Sequence, residues 1–124
     1  MSDQLIIKPT TSVASQDPEN TTGTKIQVLL GSDDGMPNFF TRIFTVEPGG
    51  RIPVHRHNDI EHEQMMLEGE LVIILESGEE KTVKAGDVVY FPPKVAHGYE
   101  NRGSVPVKLV CIVPKTDHYQ TEWL

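Results

Sequence analysis

Nowhere in this 124-residue chain do apolar residues recur at the 3.6-residue period of a helix over ten or more positions, and that governs what it can fold into. Nine prolines are scattered along it, each fixing φ and removing a backbone donor, so long helices are harder still. What remains is a series of short β-rich runs at 26–30, 39–46, 63–67, 71–76, 81–84, 88–91 and 107–113. Turn formers separate them: Gly31 to Gly35, Pro48-Gly49-Gly50, Gly69, Ser77-Gly78, Ala85-Gly86-Asp87, Pro92-Pro93 and Asn101-Arg102-Gly103. Many short strands with Gly and Pro turns predict an all-β sandwich or barrel, and the length allows one domain with a single modest core.

Residues 1–24 are polar and rich in breakers and read as an N-terminal arm, with Leu5-Ile6-Ile7 as its one strand-like run. The barrel is expected over 25–115, with 116–124 as a C-terminal tail that includes an exposed His118. No internal repeat is found. Glu76, Glu79 and Glu80 cluster around Gly78 as an ordinary solvated hairpin tip.

Charge and cysteine content remove several function classes. Eleven Lys and Arg against 18 Asp and Glu give a net charge of −7, which repels nucleic-acid phosphate. No apolar run reaches the roughly 18 residues that span a bilayer, and Met1-Ser2-Asp3-Gln4 lacks the basic start of a signal peptide, so a soluble, cytoplasmic protein is expected. Cys111 is alone, which rules out an intrachain disulfide and a cysteine-rich zinc motif.

Against that frame, four of the five histidines fall into two spaced motifs. Gly49-x5-His55-x-His57-x4-His62-x6-Gly69 is the first, and Gly86-x5-Pro92-x4-His97-x3-Asn101 is the second, with a hairpin between them. His55 and His57, two apart on a strand, project from one face and can reach one ion. A lone pair of this kind arises easily by chance; the whole set of spacings carries the argument.

These motifs resemble those of the cupin superfamily, of the form G-x5-H-x-H-x3,4-E-x6-G and G-x5-P-x-G-x2-H-x3-N, over roughly residues 40 to 114. The resemblance implies a double-stranded β-helix, or jelly-roll barrel, around a metal. Two positions depart from the pattern. Lys94 stands for the second motif's middle glycine, in a turn that most residues occupy as long as φ stays negative. His62 stands for the usual glutamate, while Glu61 and Glu63, one residue to either side, fall on the opposite face of the strand. The chain is thus similar to the small four-histidine cupins, which implies His55, His57, His62 and His97 as ligands of manganese or another divalent ion, with iron, zinc and nickel also suited to imidazole. The last strand, 109–115, shares this resemblance, which also implies a homodimer with exchange of the N-terminal strand.

Four neutral imidazoles leave the ion its full double charge, so an oxygen-rich or anionic small molecule is the expected partner. Oxidative chemistry of the dioxygenase type is the leading expectation. A non-redox isomerase, lyase or cyclase acting on a sugar or keto acid is the alternative, and a sensor or binding module without turnover is the third. No catalytic residue beyond the ligands is singled out; Glu61, Glu63, Tyr90 and Tyr99 are the weak candidates for a base. Glu61 and Glu63 either orient an imidazole or pair with Arg42, Arg51 or Arg56. Gln64, Met66, Tyr99, one of Phe39 and Phe40, and one of Ile43 and Phe44 are the expected lining, with Cys111 on the inner face of the last strand.

Overall fold

Gly69 shows how the turn chemistry shapes the chain. Its φ is +81°, and a Cβ there would lie 2.8 Å from the Pro106 carbonyl oxygen, so only glycine lets the backbone double back at this point. The computed structural model describes residues 4–116 and 120–124, and among them the chain forms nine strands. They are β1 (Thr22–Leu30), β2 (Phe39–Arg56), β3 (His62–Glu68), β4 (Glu70–Leu75), β5 (Glu80–Lys84), β6 (Val88–Phe91), β7 (His97–Glu100), β8 (Val107–Pro114) and β9 (Glu122–Trp123). The strand order is β5-β4-β7-β2-β8-β3-β6, with β1 and β9 also on β2 and every pairing antiparallel. The sheet curls into the double-stranded β-helix that the family resemblance implies.

β2 is the spine. Its first half pairs with β8 from Phe39 to Val46 and with β1, and its second half pairs with β7 and β9. Pro48-Gly49-Gly50, expected to end a strand at Val46, bends it instead. Pro53 is tolerated because it sits in the register shift between Ile52 and His55, where the ladder needs no donor. Asn101, 2% exposed, then ties the motifs together: its side-chain amide donates to the Val46 and Val105 carbonyls, each at 2.9 Å, while Gly49 N donates to its backbone oxygen at 2.9 Å.

Alternation of period two fills the interior. On β8, Val107, Leu109, Cys111 and Val113 are buried while Lys108 and Ile112 are exposed, the phase expected from the sequence. Met66, Leu71, Ile73 and Phe91 complete the core from β3, β4 and β6.

Three segments differ from expectation. Leu5-Ile6-Ile7 forms no strand, and Leu5 and Ile7 stand 86% and 84% exposed. β1 begins at Thr22, inside the expected arm. Within the expected tail, Glu122 and Trp123 return to pair with Arg56 and His55. His118 lies outside the described residues.

Candidate metal centre

Strand pairing brings the four motif histidines together. His55 lies at the end of β2 and His57 one residue beyond it, His62 opens β3 and His97 opens β7; His55 is the direct cross-strand partner of His97. All four are buried, whereas Glu61 and Glu63 on either side of His62 are exposed. The rings form a closed loop, with centroids 5.0 Å apart for His55 and His57, 4.7 Å for His57 and His62, 5.8 Å for His62 and His97, and 4.8 Å for His97 and His55.

Those spacings can be compared with what one shared ion requires. A metal–nitrogen bond of about 2.1 Å puts two ligand-ring centroids roughly 4.5 Å apart at a right angle and roughly 5.2 Å apart at the tetrahedral angle. The loop lies close to this range, although no three His, Cys, Asp or Glu side chains among the described residues are closed tightly enough to fix an ion position.

The hydrogen bonding favours ligation by Nε2. Nδ1 of His55 donates to the Pro53 carbonyl at 2.8 Å, Nδ1 of His57 to that of Gln120 at 3.0 Å, and Nδ1 of His97 to that of Val95 at 3.0 Å. Since a carbonyl can only accept, the proton sits on Nδ1 and the lone pair on Nε2. Nε2 of His62 and of His97 are buried with no hydrogen-bond partner among the described residues, an arrangement that a metal would satisfy.

Burial also keeps the rings neutral, as ligation requires. Desolvation is the main cause, depressing the His55 pKa and bringing His57 to about 4, His62 to about 2 and His97 to about 3. Phe91 stacks on His97 at 3.9 Å, and Trp123 lies 5.1 Å from the His55 ring.

The cluster opens into a cavity of about 420 Å³. Gln64, Phe44, Tyr99 and Cys111 line it, and Met66 packs into the core instead. Glu61 accepts a 2.6 Å hydrogen bond from the exposed Tyr90 hydroxyl on the outside of the barrel. Arg56 pairs with Glu122 through two bonds of 2.9 and 3.0 Å. Backbone carbonyls, rather than Glu61 or Glu63, therefore orient the imidazoles of His55, His57 and His97.

Several lining residues, Arg42 and Trp123 among them, lie outside the lining expected from the sequence. Arg42 was considered there only as a surface partner for Glu61 or Glu63, yet it is 9% exposed and faces the cavity. Its phase with Phe40, Phe44 and Val46 along β2 was the available signal. Trp123 carried no such signal, because a two-residue strand has no period.

Comparison with known proteins places this architecture. A family model described as the cupin domain matches residues 42–113, more than half of the chain. The protein belongs to the cupin family. The uncharacterised protein MJ1618 of Methanocaldococcus jannaschii is 39% identical over 80 residues, covering 64% of this chain and 63% of that protein, so the match spans less than two thirds of the relative's length. Among solved structures, the polyketide cyclase RemF from Streptomyces resistomycificus aligns with a TM-score of 0.89 at 22% identity, over 98% of this chain and 86% of that one. A sugar phosphate isomerase from Silicibacter pomeroyi gives 0.72 at 25% identity, over 82% and 66%. Oxalate decarboxylase of Bacillus subtilis gives 0.68 at 27% identity, over 88% and 30%. All three solved structures share this fold over at least 82% of the chain.

Proposed function

We propose that His55, His57, His62 and His97 hold a divalent transition metal, with manganese favoured by the resemblance. We further propose that the protein is a metal-dependent enzyme of dioxygenase or oxidoreductase type acting on a small oxygenated molecule. The observation that carries this reading is the pair of buried, unpartnered Nε2 atoms of His62 and His97 within a loop of four imidazoles. When bound, such an ion supplies Lewis-acid or redox chemistry to a substrate oxygen.

The chain's own residues prepare for that role. The Pro53, Gln120 and Val95 carbonyls hold three imidazoles in the tautomer that offers Nε2. Phe91 and Trp123 pack against the rings and exclude water from one side of the cluster. Tyr99 donates to Gln64 Oε1 at 3.0 Å, fixing which end of the amide faces the cavity.

Acid–base chemistry would need a positioned proton acceptor. Beside the imidazoles the wall offers Tyr99, Gln64, Cys111 and Arg42, and its one carboxylate, Glu19, is exposed rather than buried against the rings, a composition that supports the oxidative reading. Glu19, an exposed residue that also lines the cavity, favours the second reading, a non-redox isomerase, lyase or cyclase with Glu19 as its base.

Oxygen consumption separates the two. Metal-loaded protein screened with small keto acids and phenols is expected to take up oxygen only with substrate, and to stop when the metal is stripped. Product formation without oxygen uptake, abolished in Glu19→Gln, would transfer the function to the second reading.

A further inference from the structure

The cavity carries a fixed positive charge in addition to the histidines. Arg42 on β2 is the cross-strand partner of Cys111 on β8, and Cys111 is the cross-strand partner of Gln64 on β3. One row across three strands therefore sets guanidinium, thiol and carboxamide side by side on the inner face. Arg42 Nη2 lies 3.2 Å from Cys111 Sγ, Gln64 Nε2 lies 3.6 Å from the same sulfur, and the Tyr99 hydroxyl bonds Gln64. The guanidinium stands 5.3 Å over the Phe44 ring, which limits its rotation. Its charge is felt at His57 and His62, so it is coupled electrostatically to the imidazole cluster.

The remaining wall is mostly carbon, with Thr21, Thr121 and the exposed Glu19 as its polar members. Ile26, Phe44, Ile52, Leu109 and Trp123 face the same space of about 420 Å³, a volume suited to a small molecule. A guanidinium is permanently charged and planar, with donors arranged as a fork that matches a carboxylate. Arg42 Nη2 donates to Cys111 Sγ.

We propose that the ligand of this cavity is a small organic acid with an apolar or aromatic body, its carboxylate held by Arg42 with Gln64 and Tyr99 beside it. The inference rests on the reading of the four-histidine cavity as the reacting site and names the substrate class for it. A sugar or sugar phosphate fits poorly, because its hydroxyls would lie against carbon walls and lose hydrogen bonds that water had supplied.

Trp123 is the sole tryptophan of the sequence and lines the cavity, so its fluorescence reports occupancy alongside calorimetry. Benzoate, its uncharged counterpart benzamide, and a hexose phosphate are titrated into purified protein whose metal content is measured in the same sample. Benzoate is expected to bind at least about tenfold more tightly than benzamide, with the hexose phosphate weakest. Arg42→Met is expected to erase the preference and Arg42→Lys to keep part of it.

Several results overturn the inference: no benzoate binding, equal affinity for benzoate and benzamide, tightest binding of the hexose phosphate, or an unchanged preference in Arg42→Met. If the Arg42→Met variant fails to fold, the same titrations on chelator-stripped wild type decide the matter, because a preference for benzoate that disappears with the metal overturns the inference. An Arg42-dependent preference in protein that never takes up metal would sink the metal reading and leave this inference standing. Full metal occupancy with no preference for the acid would do the reverse.

Discussion

At position 94 the backbone stands in the left-handed region, with φ of +73°, where the side chain of Lys94 gains nothing and crowds its own carbonyl. The sequence expectation of negative φ there is overturned: the turn keeps the geometry of the family's glycine although the residue is lysine. The reason lies next to the site, because Lys94 N donates to the His57 carbonyl at 2.9 Å and the turn must bend to reach it. Lys94→Gly should therefore stabilise the fold by about 0.5–1 kcal/mol, read by denaturant unfolding, and a destabilised variant would contradict this account of the turn. The inward face of His62 against the outward Glu61 and Glu63 was legible from the sequence, since a one-residue register argument decides it. For Arg42 the phase along β2 pointed inward, but a charged residue on a strand is by default assigned to water, and charge outweighed phase.

Among the elements, β2 and β9 depart most from sequence expectation, and both build the site. β2 runs through Pro48, Gly49, Gly50 and Pro53, residues that normally end strands, because its bends and register shift fall where ladder donors are not needed. Its second half then carries His55 and His57 into the cavity. β9 has only two residues, too few for any periodic signal, yet its segment supplies the Gln120 carbonyl that fixes His57 and the Trp123 ring beside His55. Truncating the chain before Gln120 should lower metal affinity by about ten- to a hundredfold, the usual cost of losing a residue that orients a ligand. Metal titration of the truncated protein, with circular dichroism to verify the barrel, checks this; unchanged affinity would show that β9 covers the site without organising it.

At the scale of the whole molecule, strand runs and turn signals gave only a sandwich or barrel, and the double-stranded β-helix followed from the resemblance of the two motifs to the cupin pattern. The depth of the cavity was not legible, since burial emerges only when two layers of alternating side chains face each other. That burial has a consequence for stability. His57, His62 and His97 resist protonation down to about 4, 2 and 3, whereas an unfolded chain's imidazoles take up protons near 6.5. Below about 6.5 the unfolded state thus binds more protons, and the metal-free fold should lose stability steadily as pH falls from about 6.5 to 5. Thermal unfolding of chelator-treated protein across that window measures it, and a flat profile would contradict buried neutral histidines. The metal centre itself is tested most directly by elemental analysis of protein purified without chelator or added metal, for the wild type, His62→Ala and Glu63→Ala. The account predicts close to one transition-metal ion per chain in the wild type and in Glu63→Ala, and a large loss in His62→Ala. A wild-type protein that stays empty even after reconstitution, or a Glu63→Ala variant that alone loses the metal, would contradict it.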